Sequence, residues 1–326
     1  MKARSWRAAS LVGCLALAVA GCAAPQEVIR KSASTPATAA EVDTDPWALL
    51  PRGAVAWGDI DTRALFGSSF GQEARAFWQD RLPLSRGVVI DPEADVERIV
   101  LGMYATVGSD VAMVVRGRFS KAQIEAAHAK DPVARHGKSI LRTRFAGFDM
   151  FVLEGLALVP LTEKTLVLGT EIGVRRVLER VEAGRLTRPL PAWFEKMLAS
   201  GAPLALGVDL DAQPVPAVVR TRLAFLEGLR AGRLLGNFDT PGLNLAGSLT
   251  YDRPDTAAAA AADIEAQVAT LDKYAVLMSV LRIPRPIRRV QAQAVGQDAQ
   301  VVLEVEGRAI GVLLARAEEL SGQMFE

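Results

Sequence analysis

Two short stretches hold carboxylates at a spacing that could do chemistry. Asp59-Ile60-Asp61 follows the apolar run Ala54-Val55-Ala56-Trp57, and Asp209-Leu210-Asp211 follows Leu204-Ala205-Leu206. On a strand, side chains at i and i+2 project to the same side, roughly 7 Å apart. Carboxylates so placed can share general acid–base work in a hydrolase, or bind calcium if more oxygens converge. The same residues also have a structural use. Asp61 precedes Thr62-Arg63 at an expected helix start, where an aspartate accepts hydrogen bonds from free backbone N–H groups. Recurrence of the motif at two places favours this shared folding role.

The other reactive residue types are sparse. His128 and His136 are the two histidines, the first on a polar helix and the second in the loop Ala134-Arg135-His136-Gly137. No acidic or cysteine partner is spaced with them for a metal site, and both read as solvated surface residues. Gly-x-Ser-x-Gly is absent, so neither histidine has a recognisable serine nucleophile to serve. Gly67-Ser68-Ser69-Phe70-Gly71 lacks the lysine of a phosphate loop, and no dinucleotide-binding glycine pattern occurs. The expectation is a non-enzymatic chain with no metal and no cofactor. The hydrolase built on Asp59/Asp61 or Asp209/Asp211 is the competing reading.

Two further clusters are candidates for binding. Arg282, Arg285, Arg288 and Arg289 crowd into RIPRPIRR with two prolines. Guanidinium forks suit phosphates and carboxylates, so the stretch is a candidate anion-binding patch, and otherwise a stiff solvated connection. Trp57, Trp78 and Trp193 with Phe66, Phe70 and Phe77 are candidates for a ligand pocket, although aromatics near helix–sheet junctions usually fill cores.

The elements that position these residues read as one unit used twice. Each Asp-x-Asp closes a strand that leaves into a helix. Arg142 to Gly155 and Gln291 to Gly307 each give an alternating strand, a Gly-x-Asp turn and a second apolar strand ending in Leu-Glu. Gly147 and Gly296 sit where a hairpin turn is wanted. Matched landmarks are about 150 residues apart, and the first half carries an extra apolar pair, Ala157 to Leu161 and Thr165 to Gly169. Residues 47–188 and 189–326 are therefore expected to be two α+β repeats. ILRTRF and VQAQAV alternate apolar with polar, as strands do when one face is covered and the other wet. The predicted fold class is α+β, an internally duplicated unit of antiparallel strands with helices packed on one sheet face. The pattern Ile264, Val268, Leu271, Ala275, Met278 predicts a long helix over 255–281.

The amino terminus tells where such a domain would work. Lys2, Arg4 and Arg7 precede the apolar stretch Ala8 to Ala20, which is too short to cross a ~30 Å hydrocarbon core and right for a secretory signal. It ends in Val19-Ala20-Gly21-Cys22, which resembles the lipobox of bacterial lipoproteins. The resemblance implies that residues 1–21 are removed as a signal peptide and that Cys22 carries acyl chains. At ~0.8 kcal/mol per buried methylene such chains anchor a protein stably. It also implies a place on the periplasmic face of the outer membrane, because Ala23 and not Asp follows the cysteine. Residues 22–46, rich in Ala, Ser, Thr and Pro, are expected to be the lipidated cysteine and its tether.

Composition fits this. Half of the residues are hydrophobic and 23% are charged, as in an ordinary globular domain. Of 38 basic residues three lie in the signal, against 37 acidic in all, so the processed chain is close to neutral. Nucleic acid is not an expected partner. The expected partners are the membrane, through the anchor, and either an envelope protein or a lipid-like or anionic ligand.

Overall fold

The computed structural model describes residues 35–105, 110–221, 223–273 and 285–315. In chain order the elements are α1 (Ala39–Val42), α2 (Pro46–Leu49), β1 (Ala56–Asp61), α3 (Thr62–Phe66), α4 (Gly71–Arg81), α5 (Pro92–Asp95), β2 (Val96–Met103), β3 (Val111–Gly117) and α6 (Lys121–Lys130). Then come β4 (Leu141–Phe145), β5 (Phe148–Leu153), β6 (Leu156–Pro160), β7 (Thr165–Thr170), α7 (Glu171–Glu182) and α8 (Ala192–Leu198). The remainder is β8 (Leu204–Asp209), α9 (Ala217–Arg220), β9 (Leu229–Asn237), β10 (Gly242–Tyr251), α10 (Pro254–Lys273), β11 (Ile287–Val295), β12 (Asp298–Glu306) and α11 (Gly307–Ala315).

The class is α+β. Among the described residues all strands join one 12-stranded sheet in the order β11-β12-β10-β9-β8-β1-β2-β3-β7-β6-β5-β4, and every neighbouring pair is antiparallel. β1 and β8 form the middle. Outward from β8 the strands run β9, β10, β12, β11. Outward from β1 they run β2, β3, then β7 and β6, then β5 and β4.

Local chemistry sets the joints. Asp61 and Thr170 each end a strand and cap the next helix, accepting from Ala64 N at 3.1 Å and Gly173 N at 3.3 Å. Such caps stabilise by about 1 kcal/mol each. The β4–β5 turn puts Ala146 and Gly147 at φ 49° and 81°, and the β5–β6 turn puts Glu154 and Gly155 at φ 50° and 83°. Two consecutive positive φ values are what a tight antiparallel hairpin requires, and glycine supplies the second at no steric cost.

Helices do not keep to one sheet face, which corrects that part of the expected architecture. Val100, Val114 and Val167 enter one core with Trp47, Leu49, Val174, Val177 and Leu178. Their chain neighbours Ile99, Val115, Leu166 and Leu168 enter a second core with Leu84, Phe119 and Ile124. The reason lies in the runs Ile99-Val100-Leu101, Met113-Val114-Val115 and Leu166-Val167-Leu168. Successive strand residues point to opposite faces, so an unbroken apolar run requires cover on both. The alternating segments ILRTRF and VQAQAV end in β4 and β11, the two edge strands, where one side is wet.

The second correction concerns the tether. Residues 36–46, expected to belong to it, are docked on the fold. Ala37 N donates to Val181 O at 2.8 Å. Thr38 and Glu41 form a reciprocal cap on α1, and Asp45 caps α2. Asp43 Oδ1 accepts from Thr162 Oγ1 at 2.6 Å, from Thr165 Oγ1 at 2.7 Å and from Arg116 at 3.5 Å. Trp47, Leu49 and Leu50 are almost fully buried. Residues 36–50 thus form a strap across the core that contains Val167 and Val177.

In the other half, α10 lies on the sheet through Ala257, Ala260 and Ala261, which meet Tyr251 and Ala299. Alanines at this spacing let the helix come close to the strands. Glu265 on α10 reaches the sheet edge, where its carboxylate accepts from Ala292 N at 3.0 Å. Residues 274–281, the expected end of this helix, lie outside the described residues, as do Cys22, Arg282 and residues 316–320.

Candidate functional site

The carboxylate pairs do not converge. Because β1 and β8 run antiparallel, Asp59 stands opposite Ala205 while Asp209 lies beyond the Ala56–Val208 pair. The two motifs therefore sit at opposite ends, with Asp59 and Asp209 roughly 13 Å apart along the strands. Asp59 is buried, and the Arg98 guanidinium holds both its oxygens, Nε at 2.6 Å from Oδ1 and Nη2 on Oδ2. That bond, the largest influence on the arginine, raises the Arg98 pKa. Asp61 is spent on its helix cap. Asp211 pairs with Arg230 at 2.8 Å, and Asp209 accepts from the Asp211 amide at 3.2 Å. Each carboxylate has a local structural partner, and no two share a cleft where a substrate bond could lie between them.

His128 is not on the surface. It is 7% exposed, its ring centroid is 4.7 Å from that of Phe151, and its Nδ1 has no partner. Ile124 and His128, four residues apart on α6, share the buried face. Burial, then the nearby Arg142, pushes its pKa down. His136 is exposed as expected.

The arginine stretch is partly neutralised. Arg288 is ion-paired with Glu306, and Arg289 with Glu304 at 3.5 Å. Both glutamates come from β12, across the hairpin. The aromatic candidates divide among three places. Trp57 and Trp193 meet edge-to-face with centroids 5.6 Å apart, inside the core with Phe194. Phe66 and Phe70 pack with Ala74 under α11. Trp78 lies against the second core, and Phe77 carries the Arg81 guanidinium at 3.8 Å.

What sequence reasoning missed is an open face. On the side of the sheet opposite α10, cover stops at α8, where Met197 marks the boundary. Beyond it lies a hollow of about 700 Å³ bounded by Met197, Arg233, Leu235, Ala246, Ser248, Gln291, Gln293, Gln300 and Val302. The register orders these residues in rows. Leu235 faces Ala246, Ala246 faces Val302, and Val302 faces Gln291. On one side Arg233, Ser248, Gln300 and Gln293 form the next row. On the other stand Asn237, Asn244, Glu304 and Arg289.

The result is a thin apolar band between two polar ones. Its apolar row continues inward through Ala205, which faces both Leu235 and Asp59, so the band is an extension of the core onto the open surface. Val302 is 37% exposed. Arg233 holds its guanidinium 5.2 Å from the Trp193 ring at the inner end. The signal was in the sequence as the alternation Gln291-Ala292-Gln293-Ala294. Alternation shows only that one face is wet, and the band itself exists only once four strands are in register.

No protein-family model matches the sequence, and no curated protein matches it. The fold has a counterpart among solved structures. The chain is similar to the protein TP0453 in its crystal form IV, at 11% identity over 85% of this chain and 98% of that one, with a TM-score of 0.50. Crystal form I of the same protein gives 12% identity over 83% and 96%, with a TM-score of 0.48. At this identity the likeness extends to the α+β architecture with its large antiparallel sheet, and to nothing finer.

Proposed function

We propose that this chain is a bacterial envelope lipoprotein, anchored through Cys22 on the periplasmic face of the outer membrane, that works by binding a partner protein. The observation that carries the binding reading is the banded open face of β8–β12. A strip of apolar side chains one residue wide, flanked by amides and charges, matches an amphipathic segment whose own apolar stripe is narrow. The polar rows can exchange hydrogen bonds with its flanks and fix its direction. The hydrolase reading finds no support in the carboxylates, since each is bonded to a local partner.

The two-repeat reading is part of this proposal. With β7 and β6 set aside as an insertion, the strand order outward from β1 and from β8 is the same. The extra pair foreseen between Ala157 and Gly169 is that insertion. Two copies joined through β1 and β8 make one sheet, and the first copy carries more cover than the second. The face left open belongs to the second copy.

Anchoring is tested by labelling cells with an alkyne palmitate and comparing Cys22→Ser. Label lost in the variant and a shift to the soluble fraction are expected, and an unlabelled native chain would overturn the anchor. Binding is tested by placing a photo-cross-linking amino acid at Val302 or Gln293 in the intact protein in its envelope. A discrete adduct absent from a control at exposed Val89 supports the partner. Equal labelling at all three sites would overturn it. Loss of a lipid-sized adduct on organic extraction, seen by native mass spectrometry, would put a lipid-like ligand in its place.

A further inference from the structure

Three arginines meet at one end of α7 without a carboxylate among them. Arg180 is half-buried there. Its Nη2 donates to Ala48 O and to Thr187 O, both at 2.9 Å, which fixes the guanidinium between α2 and the segment after α7. Its Nε is buried and has no partner. Arg185 lies in the segment that Arg180 holds through Thr187, its backbone N donating to Arg180 O at 3.0 Å, Arg52 follows the helix that Arg180 holds through Ala48, and both are exposed. Neither is ion-paired among the described residues. Their neighbours are otherwise matched, Arg176 with Asp110 at 2.5 Å and Arg188 with Asp45 at 2.8 Å. Burial, and then Arg52, lower the pKa of Arg180. The chain thus pairs the arginines on either side and leaves three together that repel one another.

We propose that Arg52, Arg180 and Arg185 form a binding site for a phosphate group. A positioned guanidinium flanked by two exposed, unpaired ones is the donor arrangement that phosphate oxygens accept. Bound phosphate would relieve the repulsion. The place suggests a source. The strap enters the fold here, since Ala37 N bonds Val181 O beside Arg180. A chain anchored through Cys22 would work among phospholipid headgroups, which carry such a phosphate. The headgroup source rests on that anchoring. The phosphate site does not.

The test uses the full-length chain in maltoside micelles. Its thermal midpoint is followed while inorganic phosphate or dihexanoyl-phosphatidylglycerol is added at constant ionic strength. Both are expected to stabilise the native chain. In Arg52→Gln/Arg185→Gln, both on exposed positions, the apparent dissociation constant rises at least tenfold. The pair Arg230→Gln/Arg253→Gln leaves it unchanged. Stronger stabilisation by the short-chain phosphatidylglycerol identifies a lipid headgroup. Equal or stronger stabilisation by inorganic phosphate identifies a soluble phosphate. Responses to both ligands that are the same in Arg52→Gln/Arg185→Gln and in the native chain would overturn the site. Because acylation of Cys22 plays no part in this readout, failure of the anchor and failure of the site are separable.

Discussion

Replacing Asp43 by alanine is the most searching perturbation of this fold. One carboxylate oxygen collects the Thr162 and Thr165 hydroxyls at 2.6 and 2.7 Å and the Arg116 guanidinium at 3.5 Å. Both threonines are buried, and the side chain of Arg116 is 19% exposed. Hydrogen bonds to a charged group contribute about 1.5–3 kcal/mol each. They are not additive here, because all three share one acceptor and the carboxylate itself loses hydration on burial. Arg116 keeps Thr165 as a partner at 2.9 Å. A total near 3 kcal/mol follows, about 5 °C in Tm at roughly 2.1 cal/mol/K of unfolding entropy per residue for a chain of this size. The loss should be local first. Trp47 and Leu49 still hold the C-terminal end of the strap, so amide exchange should accelerate at residues 37–44 before it does in β2 or β3. Differential scanning calorimetry and exchange mass spectrometry read the two effects. A destabilisation under 1 kcal/mol, or faster exchange spread evenly through the sheet, would refute the claim that Asp43 clamps the strap. Asp43→Asn should recover part of the loss, since its amide oxygen still accepts.

Other consequences are equally open to measurement. Gly207→Val should cost more than about 2 kcal/mol and move the tryptophan fluorescence, because a Cβ there would lie 2.6 Å from the Phe194 ring and 2.7 Å from Trp193. Arg98→Met should cost about 2 kcal/mol by stranding the buried Asp59 carboxylate, and adding Asp59→Asn should return much of it in urea unfolding. His128 should make the protein acid-sensitive. Its folded pKa lies below the unfolded 6.5, so its neutral form stabilises fully above pH 6.5, and that contribution is lost as pH falls from there through the folded value. His128→Leu should flatten the urea midpoint between pH 7 and pH 5, and an unchanged slope would show that another group governs it.

The local joints were legible in the sequence. Asp61 as a cap, the turn at Gly147 and the helix over 121–130 each follow from residues within a few positions of one another. The alternation of β4 and β11 is legible too, and it describes the edges of the sheet rather than its interior. The buried interior strands carry unbroken apolar runs, and periodicity alone does not tell what covers each face. The strap escaped notice for a different reason. Ser, Thr, Pro and Ala around residues 35–45 look like a linker, and the partners of Asp43 lie 73 to 122 residues away. His128 looked polar because its helix is polar, and only Phe151, from another strand, reveals which side is inside. The open band is the extreme case. Leu235, Ala246 and Val302 are unremarkable singly, and their site is made by register.

An open sheet of 12 strands has two edges, and each is an invitation to grow. At β11 the Glu265 carboxylate occupies the outward amide of Ala292, which denies an incoming strand one of the donors it would need. At β4 the invitation is blunted by the exposed Arg144, which a second copy would have to bring against its own, while Arg142 is paired with Asp149. A protein held on a surface meets its copies at high density, in two dimensions and with a common orientation, conditions that favour end-to-end assembly. On the proposed anchor, the reach of one glutamate from α10 would then limit how readily neighbouring sheets join. Glu265→Ala is the change that would let β11 find a partner.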